Sequence, residues 1–138
     1  MSYRNIWRAI KSDNMKQVSK LIRKSRRSNW NAFYHALMSN NLDCVKLMRK
    51  YFRPRTNSVS CDDGLTYLAA ACKRSLSLDI VKYLLRLDKS LVHQEDYRNR
   101  TPLYYAVARD RFDIVELLLA CGAVVNVTIQ SHGPFRDG

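Results

Sequence analysis

Glycine is scarce in this chain, and so are acidic residues, grouped histidines and long apolar runs. The four glycines (Gly64, Gly122, Gly133 and Gly138) are scattered, so no loop is written to cradle a phosphate on bare backbone amides. The longest apolar run, Leu117 to Val125, is nine residues, about half of the roughly 20 that a membrane-crossing helix needs. Cys44, Cys61, Cys72 and Cys121 show no C-x-x-C spacing and no metal-ligand interval to His35, His93 or His132. That pattern offers neither a metal site nor a disulfide framework, and it suits a reducing compartment. The acidic pair Asp62-Asp63 falls in a predicted turn, where solvated carboxylates make poor general acids. No catalytic constellation emerges, and the chain reads as non-enzymatic, with no cofactor.

Positive charge is what the chain has in excess. Lys and Arg number 24 against 12 Asp and Glu, a formal net charge of +12. Residues 1–55 hold fourteen of the basic residues against Asp13 and Asp43 alone, while residues 56–138 hold ten of each sign. A segregation of this kind sets up a positive field able to steer an acidic partner; its plainer use is to solubilise one end of the molecule. The run Arg23, Lys24, Ser25, Arg26, Arg27 has three readings: a nuclear-import or nucleic-acid patch, a phosphate-binding site, or the cationic end of a helix. Ser25 and Ser28 beside it would suit a basophilic kinase. Met1 to Arg4 lead straight into an amphipathic segment with no secretory leader. The basic first 27 residues also fit a transit peptide, although the repeat frame below accounts for them better.

The segment Asn99–Asn126, NRTPLYYAVARDRFDIVELLLACGAVVN, carries the organisation. Thr101 is placed to cap a helix whose first turn holds Pro102. Ala106 and Ala108 keep that helix thin, and Asp110 supplies a turn. Phe112, Ile114, Val115, Leu117, Leu118 and Leu119 then make an apolar second helix that Gly122 ends. This segment resembles an ankyrin repeat, with its Thr-Pro-Leu start, its Ile-Val and triple-leucine second helix, and its Gly-Ala-x-Val-Asn exit. A unit of this kind buries its apolar face only by stacking on copies, and copies are present. Ala71, Ala36 and Ala9 mark earlier units in which Leu68 with Ile80, Phe33 with Val45, and Ile6 with Val18 stay in frame. The third unit has one residue inserted between its helices. The resemblance implies an all-α solenoid of helix–turn–helix units with short β-hairpin loops, residues 1–126. Its four repeats span about residues 3–25, 28–55, 63–93 and 98–126, followed by a tail at 127–138. The tail ends on Asp137-Gly138, the pair that also precedes the third unit, so it is either a short disordered tail or the start of a fifth repeat.

Departures from the family pattern carry expectations of their own. The histidine that follows Thr-Pro-Leu is replaced by Trp7, Tyr34, Ala69 and Tyr104, so the hydrogen bonding it provides is lost and a less stable array is expected, by ~1 kcal/mol per bond. Asn99, Asp13, Asn40 and Asp110 stand where glycine is usual, in positions that left-handed geometry allows them. Cys44 and Cys72 fall on inward positions as small apolar side chains.

In ankyrin proteins the hairpin tips and the exposed ends of the first helices form the concave binding face. Carried over residue by residue, that face implies Tyr3, Lys11 and Ser12; Arg27, Trp30, Met38 and Ser39; Asp62, Asp63, Leu65, Lys73 and Arg74; and Tyr97, Arg98, Arg100 and Arg109. Trp30 is equally readable as core. Arg, Tyr and Trp are the side chains that dominate interface energetics. The resemblance implies an intracellular scaffold, inhibitor or adaptor, cytoplasmic or nuclear, expected to be monomeric alone and to bind a protein partner with an acidic or phosphorylated surface. The alternative is polyanion binding, to nucleic acid or an anionic membrane surface, through repeats one and two. The aromatic spacing for base stacking is sparse there, which favours protein. A third possibility is self-association through Leu118, Val124, Val125 and Val127.

Overall fold

Helical pairs, each turning back on itself and stacking on the next, make up the described part of the molecule. The computed structural model describes residues 29–52 and 54–125 together with Arg8, Ala9, Ser12, Lys16, Gln17 and Lys20; the side chains of residues 29–32, 51 and 52 lie outside the description. Six α-helices are described in full: α1 (Asn29–Met38), α2 (Leu42–Phe52), α3 (Tyr67–Lys73), α4 (Leu78–Leu87), α5 (Pro102–Ala108) and α6 (Phe112–Ala120), with a 3-10 helix at Lys89–His93 between α4 and α5. Each odd-numbered helix packs on the even one after it, α1 packs on α3 and α3 on α5, and α2 packs on α4 and α4 on α6. Three layers result, each with an inner and an outer helix. No described residue lies in a strand: the hairpins between layers are turns closed by short-range backbone hydrogen bonds, such as Ser60 N–H to Leu65 C=O and Asp96 N–H to Arg100 C=O, both 3.0 Å.

Local sequence explains the helix ends. Thr66 and Thr101 hold extended backbone before α3 and α5, and each hydroxyl accepts from the third residue on, Ala69 N–H at 3.1 Å and Tyr104 N–H at 3.4 Å. Pro102 fills the first turn of α5. The turns inside and between layers need left-handed residues. Asn40, Asn99 and Asp110 supply them with φ of 55–61°, as expected of side chains that tolerate that region. Ser75 does the same at φ 57° in the third unit, where the sequence pattern gave no sign of it.

Ser75 stands two residues after the end of α3, as Asn40 and Asp110 stand after α1 and α5, so the one-residue insertion lies between it and α4. Both neighbouring layers reach across to the backbone groups of this longer turn. Asn40 Oδ1 accepts from Ser77 N–H at 2.8 Å from one side. From the other, Arg111 Nη1 donates to the carbonyls of Ser75 (2.9 Å) and Leu76 (2.8 Å) and to Ser75 Oγ (3.0 Å), while its remaining edge grips Asp113 at 3.0 Å.

The core runs along the stack between inner and outer helices. Phe33, Ala36, Leu37, Leu68, Ala71, Cys72, Ile80, Ala106, Ile114 and Leu118 are all at most 1% exposed. These are the in-frame positions of the repeat, and Cys44 and Cys72 are buried among them as expected. Leu118 is therefore corrected: it is core and no part of an association surface, because helical periodicity turns it inward beside Ile114. Leu65, read as a binding-face residue, is likewise buried at 5%. Of the first unit, Ala9 is buried and joins the same core.

Candidate functional site

Two clusters of the expected binding residues sit on the inner helices and hairpins of the last two layers. The first is organised by Asp96, a carboxylate only 6% exposed. Its Oδ1 accepts from Arg98 N–H (2.8 Å) and Arg100 N–H (3.0 Å), and its Oδ2 accepts a short bond from the Tyr105 hydroxyl. A buried carboxylate held this way is satisfied, so it fixes the hairpin rather than neutralising the arginines around it. Burial, reinforced by the hydrogen bond and the charge of Asp96, pushes the Tyr105 phenol up to about 12. Arg100 lays its guanidinium 4.9 Å from the Tyr104 ring centroid, and Lys73 holds its ammonium 5.9 Å from that of Tyr105. Both are cation–π placements, which hold a charge near a surface without spending it on a carboxylate.

Tyr97 ties this hairpin to the preceding one. Its N–H donates to Asp63 C=O at 3.0 Å, and its ring lies where a Cβ on Gly64 would stand, 2.5 Å from Tyr97 Cδ1. The ring is nevertheless 65% exposed on its other side. Arg98 projects from the same tip and is exposed.

The second cluster lies at the far ends of the inner helices. Arg74 and Arg109 are the C-caps of α3 and α5, stand in equivalent positions one layer apart, and are both exposed. Arg74 Nε donates to the Tyr34 hydroxyl of the layer below at 3.2 Å. Lys73 links the two clusters. Among the described residues none of Lys73, Arg74, Arg98, Arg100 and Arg109 makes an ion pair; Arg111–Asp113 is the pair found there.

Asp62 and Asp63 are exposed at the tip of the preceding hairpin, and Ser39 Oγ donates to Ala36 C=O at 2.6 Å. Tyr3, Lys11, Arg23, Lys24, Arg26 and Arg27 lie outside the described residues. Trp30 lies in α1, with its side chain outside the description. Ser12 is exposed and bonds back to Ala9 C=O at 3.1 Å. Sequence reasoning passed over Asp96, Tyr104 and Tyr105 as parts of the site. For Asp96 a signal was available: it stands three residues before the left-handed Asn99, where an Asx-type turn draws its side chain onto the backbone. Among the described residues no grouping of His, Cys, Asp and Glu could hold a metal, and no helix is long and apolar enough to cross a membrane.

The layered pairs, the Thr caps and the stacked hairpins agree with a family model for ankyrin repeats (three copies) that matches residues 52–129. The chain belongs to the ankyrin-repeat family. Domains of this family generally serve as protein–protein interaction modules. A serine/threonine-protein kinase, VIK, of Arabidopsis thaliana is 48% identical over 46 residues. That stretch is 33% of this chain and 10% of the kinase, so the chain spans about a tenth of that relative.

Proposed function

We propose that this ankyrin domain binds an acidic or phosphorylated segment of a protein partner across the inner helices and hairpins of its last two layers. The observation that carries the reading is the unspent charge there. Lys73 and Arg100 are braced on aromatic rings, Arg74, Arg98 and Arg109 are exposed, and Asp96 is buried against two N–H groups and a phenol, while the exposed Asp62 and Asp63 of the preceding tip make no ion pair with these cations. Arginine forks suit carboxylate and phosphate oxygens, and a braced side chain loses less entropy on binding. The net charge that would steer such a partner is concentrated at the other end, where residues 1–55 carry fourteen basic residues against two acids, while residues 56–138 carry ten of each sign. The role is that of a scaffold, inhibitor or adaptor inside the cell, acting as a monomer and without catalysis.

The test compares a glutamate-rich peptide, its phosphoserine counterpart and a single-stranded DNA oligonucleotide of equal length, by titration at several salt concentrations. Peptide binding that weakens about tenfold or more on Arg100→Ala with Arg109→Ala supports the reading. Binding of DNA alone, with a steep salt slope and lost only on substitution of Arg23, Lys24, Arg26 and Arg27, overturns it in favour of a polyanion site in the first two repeats.

A further inference from the structure

Five of the seven large apolar side chains left exposed among the described residues belong to the last layer or directly follow it: Val107 (52%), Phe112 (71%), Leu119 (43%), Val124 (70%) and Val125 (61%). They are not scattered. Moving back 35 residues along the inner helix takes Val107 to Cys72, which is fully buried, and moving back 34 along the outer helix takes Leu119 to Leu85, exposed by 3%. Val115, half-buried, corresponds in the same way to Val81, which is fully buried. What covers the earlier positions is known: α5 packs on α3 and α6 packs on α4. The last layer therefore presents, in register, the face that an ankyrin hairpin covers one layer below.

We infer that the outer face of α5 and α6 is the seat of a further ankyrin-type helical hairpin, carried by the polypeptide that follows Val125. Continuity with the interface below specifies its chemistry. The occupant's inner helix should present Leu-x-x-Ala, as Leu103 and Ala106 do, and its outer helix Ile-x-x-x-Leu, as Ile114 and Leu118 do. A second copy of the chain cannot offer that face from its last layer, because all four of these residues are buried. Beyond Val125, Gly133 stands thirteen residues after the last residue of α6, one more than the twelve that separate the left-handed Gly64 and Asn99 from the last residues of α2 and α4.

Hydrogen exchange read by mass spectrometry tests the seat, on the 138-residue chain and on the same chain continued from Gly133 by one idealised ankyrin hairpin in that register. The expected result is amide exchange in α5 and α6 slowed roughly tenfold or more by the extension, since neighbouring repeats stabilise one another through their interface. Val107→Glu with Leu119→Glu should remove that slowing while leaving α3 and α4 unchanged. Equal exchange with and without the extension would overturn the inference. So would a dimer of the unextended chain, seen by sedimentation velocity and dissociated by the same two substitutions, since that assigns the face to a second copy. The intact mass of the protein isolated from its source decides whether the occupant is its own: a value above 16.1 kDa is expected, and a value equal to it overturns that part.

Discussion

At the scale of single residues, buried polar groups and left-handed turns set the vulnerable points. Asp96 satisfies two backbone N–H groups and the Tyr105 hydroxyl. Asp96→Ala should therefore cost about 2–4 kcal/mol in urea unfolding, because the donors it leaves behind stay buried. Tyr105 adds a pH dependence whose sign is fixed. Its folded pKa, raised to about 12 from an ordinary 10.0, contributes stability that is complete below pH 10 and lost as the pH rises through 12. Ultraviolet phenolate titration should show Tyr105 ionising late, together with the more strongly raised Tyr67. Gly64 is the clearest backbone case. Gly64→Ala meets both a φ of +70° and the Tyr97 ring, and should cost ~2 kcal/mol. Adding Tyr97→Ala removes the steric share, so the double mutant should recover about half of that loss, a coupling a double-mutant cycle reads directly.

At the scale of elements, the third repeat is held by its neighbours more than by itself. The inserted turn at Ser75–Ser77 takes its partners from Asn40 below and Arg111 above. Arg111→Ala should destabilise the stack by ~2 kcal/mol, as expected for several charge-assisted hydrogen bonds lost together. Asn40→Gly keeps the left-handed turn while removing the acceptor for Ser77 N–H, and should cost ~1 kcal/mol. Arg111 holds the Asp113 carboxyl below its ordinary range, and hydrogen bonds from Ser90 and Thr56 do the same for Asp88. Both contributions are present above the ordinary carboxylate pKa and vanish as the pH falls through the lowered values, so acid should loosen these turns first. Thiol labelling checks the layers separately. Cys61 is exposed and should react at once, whereas Cys72, buried and pushed up to about 12, should react only through opening of the stack.

For the whole molecule, stability is a sum of layers and the interfaces between them, while the proposed binding rests on where charge is left unpaired. Much of this was legible in the sequence. The Thr caps, Pro102, the left-handed Asn and Asp residues and the inward alanines and leucines are local signals, and the turns and helices obey them because short-range sterics and capping act within a few residues. The proposed binding face was legible only in outline. Residue types at hairpin positions marked Lys73, Arg74, Tyr97, Arg98, Arg100 and Arg109, yet nothing local indicates which cations find a carboxylate and which are braced on a ring. Leu65 and Leu118 show the same limit from the other side, since an apolar residue near a tip or a terminus is core or surface according to what packs on it. The sequence by itself determined the repeat, its period and the segregation of its charge, because these rest on composition and on contacts close along the chain. The tertiary structure decided that Asp96 is locked and that Arg111 bridges the longer turn of the third unit. Each of those depends on groups about 9 to 36 residues apart meeting in space, which no local pattern encodes.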